Sequence, residues 1–201
     1  MDFWQYEKEA AAEGCTAVCG CDEAGAGPLA GPVYAAAVVL SFGEDISGLD
    51  DSKKLTEKRR EALFPVIQDR ALAWSVAWVD AVEIDKTDIL SARMKAMQLA
   101  IDGLSQTPDF ALIDGNRDKG RSASITVPHR CIIKGDSLSA SIAAASILAK
   151  VSRDRFMTDM ARQYPEYRFD KHKGYGTKLH YELLRTYGPS PIHRRTFLKS
   201  L

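Results

Sequence analysis

Apolar positions along the 201-residue chain form short runs in its first 140 residues and helically spaced stretches between and after them. TAVCGCD (16–22) and VYAAAVVL (33–40) are small, β-branched runs separated by a loop rich in Gly and Pro, the pattern of paired buried strands. LAWSVAWV (72–79), FALID (110–114) and CIIK (131–134) read as three more strands. Between them SKKLTEKRREALFPVIQD (52–69) and TDILSARMKAMQLAIDGLS (87–105) carry helical spacing, with Thr87 the expected cap of the second and Asp88 at its positive end. A long helix is expected from about Ser137 to Tyr164, and a shorter one from Thr177 to Tyr187 before the stop GPSP. The pattern predicts a mixed α/β sheet carrying a helical extension, as one domain over residues 1–201.

Composition narrows the class. With 45% hydrophobic and 27% charged residues the chain is an ordinary globular protein, which disfavours disorder and coiled coil. The longest weakly charged runs, 33–40 and 137–149, fall short of the ~20 residues needed to cross a bilayer, so no membrane association is expected. The N-terminal MDFWQYEKEAAAEG carries acids where a signal peptide needs a basic and then an apolar segment, so a cytoplasmic location is expected. Cys15, Cys19, Cys21 and Cys131 lack paired C-x-x-C knuckles and read as buried reduced thiols rather than a zinc site or disulfides.

The formal net charge of zero hides an asymmetry. Residues 1–100 hold 10 Lys/Arg against 17 Asp/Glu, and residues 101–201 hold 17 against 10. Residues 150–201 alone hold 12 basic and 5 acidic side chains, interleaved with aromatics. That mixture suits a polyanionic partner, and equally a solvated helical surface over a buried aromatic face.

Candidate chemistry starts at GAGPLAG (25–31). It fails as a dinucleotide fingerprint, because its third glycine comes one place late, Pro28 and Pro32 intervene, and a strand follows. Asp22 and Glu23 stand directly before it and would repel a phosphate unless a divalent cation lay between. Asp114 closes FALID and Asp136 follows CIIKG, so each is an acid at an element boundary. Convergence of the four would demand about two divalent ions to offset the repulsion. Spacing alone leaves simpler roles open, a helix cap for Asp136 and an Asx-turn for Asp114.

Six blocks resolve this. CDEAGAGPLAGPVYAAAVVL, DSKKLTEKRREALF, LIDGN, KGDSLSASIAAASILAKVSRD, YPEYRFDKHKGYGT and GPSPIHRRTF, spanning residues 21–197, together resemble bacterial ribonuclease HII. The resemblance implies a ribonuclease H-like fold, with a mixed five-stranded sheet, flanking helices and a helical C-terminal part. It implies an endonuclease that cuts RNA in RNA-DNA hybrids and at single ribonucleotides embedded in duplex DNA, with roles in ribonucleotide excision repair and RNA primer removal. Asp22, Glu23, Asp114 and Asp136 match the family's four metal-binding acids. Two Mg2+ or Mn2+ ions, about 4 Å apart, would then support in-line hydrolysis that leaves 5′-phosphate and 3′-hydroxyl ends.

The same likeness assigns the substrate contacts. Backbone groups of Gly25, Ala26 and Gly27 are the expected sensors of the 2′-hydroxyl. Tyr175 matches the family tyrosine that packs on the following deoxyribose, and Lys53 its phosphate-contacting basic position. His172 and His193, in basic loops, could contact phosphate or simply pack. One departure stands out: where the family has Gly-Arg-Gly, this chain has Ala26 in the middle, so a guanidinium contact is missing. That motivates a second reading, a hybrid-binding protein with impaired catalysis. The chain is expected to act as a monomer.

Overall fold

The computed structural model describes residues 2–44, 46–50 and 52–198. Five strands form one sheet: β1 (Val18–Ala24), β2 (Val33–Val39), β3 (Ala73–Val79), β4 (Phe110–Asp114) and β5 (His129–Ile132), in the order β3-β2-β1-β4-β5. β1 lies in the centre, antiparallel to β2 and parallel to β4, while β2–β3 is antiparallel and β4–β5 parallel. The helices are α1 (Gln5–Ala12), α2 (Glu57–Arg70), α3 (Ala81–Lys86), α4 (Ile89–Asp102), α5 (Ala140–Gln163), α6 (Phe169–His172) and α7 (Lys178–Tyr187). The mixed sheet with a helical last third is as the apolar pattern predicts. Among the described residues no helix is long and apolar enough to cross a membrane.

Burial explains the runs. β2 is buried along its whole length because helices cover both faces of the sheet, so its residues need no alternation. On one face, Cys19, Cys21, Ala35, Ala37 and Ile113 pack with Met94, Met97 and Ile101 of α4. On the other, Ala36 and Val38 pack with Ala144 and Leu148 of α5 and with Phe64 and Ile67 of α2. Gly20 is required here: a Cβ would lie 2.2 Å from the Ser141 and Ile142 backbone, so only glycine lets the start of α5 rest on the central strand.

Several element boundaries differ from expectation, each for a local reason. Asp88, not Thr87, caps α4; its carboxylate accepts the Ser91 N–H at 2.9 Å, while the Thr87 hydroxyl donates to the Glu83 carbonyl of α3. β5 ends at Ile132 rather than residue 134, because Lys134 takes the left-handed conformation (φ 59) that starts a single 3-10 turn, Gly135–Ser137. α5 therefore begins at Ala140, capped by Ser139, instead of at Ser137. The buried Glu7 of α1, an element the apolar pattern does not show, accepts from the Ser139 and Ser141 hydroxyls and from the Ser141 N–H at this helix start. Cys19 and Cys21 are buried, but Cys15 and Cys131 are only half-buried, since both lie at the margins of the sheet.

Candidate active site

The parallel register pairs Cys21 with Ile113, so the acids that follow, Asp22 and Asp114, end side by side at one end of the sheet. Asp114 pairs with Ile132 of β5, after which the left-handed Lys134 reverses the chain and returns Asp136 to the same end. The Gly135 N–H donates to Asp114 Oδ1 at 2.7 Å, and the Asp136 N–H approaches the same oxygen at 3.4 Å. Strand pleat separates the two consecutive acids. Glu23 shares the side of β1 that faces α4 with Cys19 and Cys21, and Asp22 shares the α5 side with Gly20.

The electrostatics are those of crowded anions. Burial, reinforced by Glu23 and Asp114, pushes the Asp22 carboxyl well above the usual carboxylate range. Asp114 is raised in the same way, first by burial and then by Asp136 and Glu23. Two cations stand on the cluster: Lys53 Nζ lies 2.8 Å from Asp136 Oδ2, and Arg93 Nη2 lies 2.7 Å from Glu23 Oε1. Among the described residues no three acid, His or Cys side chains stand at mutual ligand spacing. The donor set nonetheless suits a hard divalent ion, since it consists of carboxylate oxygens alone, and the buried Glu23 Oε2 has no hydrogen-bond partner.

Beside the acids lies the loop after β1, held from beneath by two fully buried arginines. Arg194 donates to the carbonyls of Gly25 (2.6 Å), Ala26 (2.8 Å) and Gly31 (2.9 Å). Arg153 of α5 donates to those of Ala30, Pro32 and Lys173. In a trans peptide the N–H opposes the preceding carbonyl, so pinning the Gly25 and Ala26 carbonyls on Arg194 turns the N–H groups of Ala26 and Gly27 away from it. Gly25 has φ +94, and a Cβ there would sit 1.9 Å from Arg153 Nε. Burial, then the neighbouring Arg153 charge, draws Arg194 down to about 9, so it remains cationic at neutral pH.

Tyr175 sits in the turn between α6 and α7; the residue is 42% exposed, and its ring centroid lies 5.6 Å from the Arg153 guanidinium carbon. The structure thus brings Asp22, Glu23, Asp114, Asp136 and Lys53 together, and joins Gly25, Ala26 and Tyr175 through the arginine pair. Gly27 is exposed and a Cβ there would meet open space.

His172 and His193 are not surface contacts. Both are buried with His180 behind Tyr175. The hydrogen bonds fix each tautomer: His193 Nδ1 accepts the Ser190 N–H, so its Nε2–H donates to His180 Nε2 at 2.9 Å, and His180 Nδ1–H donates to the Tyr175 carbonyl. Burial holds His180 and His193 down to about 4, below the ordinary 6.5. Between pH ~6.5 and ~4 these two histidines therefore bind fewer protons in the native than in the unfolded chain, so their own contribution to stability falls as pH drops through that window, while the raised Asp22 and Asp114 carboxyls contribute with the opposite sign. From pH 7 to pH 4.5 the urea unfolding midpoint of the wild type is expected to fall relative to that of His193→Gln, in which the carboxyl contributions are the same; an unchanged difference between the two proteins would refute the assignment.

A family model described as Ribonuclease HII matches residues 19–200. The chain belongs to the ribonuclease HII family. The ribonuclease HII of Caldicellulosiruptor bescii is 50% identical over 200 residues, covering 100% of this chain and 95% of that protein. That of Idiomarina loihiensis is 53% identical over 180 residues, covering 90% and 94%. The crystal structure of ribonuclease H2 from Pyrococcus horikoshii matches with a TM-score of 0.74 at 29% identity, covering 90% of this chain and 93% of that one. The ribonuclease H-like fold and the nuclease class expected from the six blocks are thereby shown, and ribonuclease HII enzymes act on RNA-DNA hybrids with divalent metal ions.

Three arginines central to this ribonuclease HII site, Arg93, Arg153 and Arg194, receive no role in the sequence reading, although Arg153 and Arg194 fall inside two of the six blocks. Arg153 carries the one usable signal: it falls on a buried stripe of a long helix, one turn from Ala149 on one side and from Met157 on the other, where a solvated charge is out of place.

Proposed function

We propose that this chain hydrolyses the RNA strand of RNA-DNA hybrids and cuts 5′ of single ribonucleotides embedded in duplex DNA, leaving 5′-phosphate and 3′-hydroxyl ends. The observation that carries the reading is the convergence of Asp22, Glu23, Asp114 and Asp136 beside the loop of Gly25, Ala26 and Gly27. The four carboxylates would hold divalent ions, Mg2+ or Mn2+, which supply an activated water and stabilise the leaving oxygen.

The chain's own groups bind and orient. The N–H groups of Ala26 and Gly27, turned outward by Arg194, can donate to the 2′-hydroxyl that distinguishes RNA from DNA. Lys53, 75% exposed at its side chain yet anchored on Asp136, presents its ammonium to a phosphate at the edge of the acid cluster. Its loop is fixed by Arg60, which donates to the Ser52 and Leu55 carbonyls. The exposed face of Tyr175 can pack on the sugar that follows the ribonucleotide, with its backbone braced by His180. The protein would act as a single catalytic unit in the cytoplasm, in ribonucleotide excision and primer removal.

Cleavage-site mapping on a duplex with one ribonucleotide, in Mg2+ and in Mn2+, tests the proposal. Scission 5′ of the ribonucleotide is expected, and an uncut duplex in both ions would overturn it. Tyr175→Ala is expected to raise KM on that duplex about tenfold, the equivalent of one lost aromatic packing contact, with a smaller change on a long hybrid. Equal losses on both substrates would remove Tyr175 from junction recognition.

A further inference from the structure

We infer that Arg93 is a phosphate-binding residue of this cleft and supplies the guanidinium that position 26 lacks. The inference rests on the nucleolytic reading of the same site. Arg93 lies in the first turn and a half of α4, on the side turned to β1, and its Nη2 reaches Glu23 Oε1 at 2.7 Å. The same nitrogen lies 4.0 Å from where a Cβ of Gly115 would be, which sets the guanidinium beside the turn that follows Asp114. With no side chain at Gly115, that flank of the guanidinium stays uncovered. The Arg93 side chain is 25% exposed, enough to be reached from the cleft.

The pairing itself is incomplete. Arginine and carboxylate that serve only each other commonly make two parallel bonds. Here Arg93 Nε and Glu23 Oε2 are both buried without a hydrogen-bond partner, so the pair is held through one nitrogen and one oxygen. A guanidinium held in that way keeps donors for a second anion. Ala26, on the loop after β1, has no side chain that could make such a contact, and the arginines beneath that loop spend their donors on backbone carbonyls. Among the described residues, Lys53 on Asp136 and Arg93 on Glu23 are thus the cations seated on the acid cluster itself, one on each side of the sheet end.

The test is binding of a fluorescent duplex with one ribonucleotide to the full chain, by anisotropy in Ca2+ with integrity checked on a gel, from 50 to 200 mM KCl. One phosphate contact contributes about 0.9 to the slope of log affinity against log salt. Arg93→Gln is expected to weaken binding about tenfold at the lowest salt and to make that slope shallower by about 0.9. Arg93→Lys should retain the slope, since a point charge still meets a phosphate. Ala26→Arg placed on Arg93→Gln should recover most of the lost affinity. An unchanged slope in Arg93→Gln, with the wild type binding normally, would make Arg93 a counterion of Glu23 and nothing more, overturning the inference alone. A wild-type chain that neither binds nor cuts this duplex would take down the nucleolytic reading, and this inference with it.

Discussion

Asp22→Asn is expected to lower single-turnover cleavage on the order of 1000-fold, equivalent to about 4 kcal/mol in the barrier, while making the metal-free protein more stable. Both effects have one cause. Asp22 is buried between Glu23 and Asp114, and its carboxyl is pushed up by desolvation and by those two charges. An amide of the same shape keeps the acceptor that takes the Glu23 N–H at 2.7 Å, but contributes no repulsion. Relief of one crowded charge is expected to add roughly 1 kcal/mol to stability in EDTA. Thermal melts in EDTA alongside gel-based cleavage make the check. Retained turnover would place the chemistry elsewhere, and a lowered melting point would show that the acids are not mutually repulsive in the folded chain.

Arg194→Met should produce the largest loss of stability, roughly 3–5 kcal/mol, because it strands the buried carbonyls of Gly25 and Gly31 and the half-buried carbonyl of Ala26, which have the guanidinium as donor. Arg194→Lys keeps the charge without the planar fork and cannot serve all three, so it separates folding from function. This milder variant is expected to fold, with KM on the one-ribonucleotide duplex raised and the response to metal concentration unchanged. Urea unfolding gives the first quantity and steady-state kinetics the second. A Lys variant with wild-type KM would show that the loop holds its shape without the arginine.

Much of the site can be read from the chain because its acids punctuate apolar runs. Asp114 ends a buried strand and Asp22 closes the apolar run of another, and a carboxylate in such a place is visible in any pattern of hydrophobic positions. That they are neighbours is a matter of register, which the pairing of Cys21 with Ile113 settles and local sequence does not. Asp136 is harder to place, since its approach depends on a left-handed lysine, a conformation that a side chain with a Cβ rarely adopts. The arginines and histidines illustrate the opposite failure. A run of basic and aromatic residues reads as a surface for a polyanion, yet Arg153, Arg194, His172, His180 and His193 are all interior, satisfied by backbone carbonyls, amides and one another. Composition cannot distinguish a cation that faces solvent from one that props up a loop.

Asp22 and Glu23 are adjacent in sequence but lean toward different halves of the molecule, one toward the layer built on α5 and the other toward the layer built on α4. The distance between their carboxylates therefore works as a gauge of how the two layers sit against the sheet. A packing defect deep in either layer, for instance at Met97 or Leu148, would be transmitted along the central strand as a misplaced oxygen. Turnover should accordingly fade at temperatures where circular dichroism still reports an intact protein.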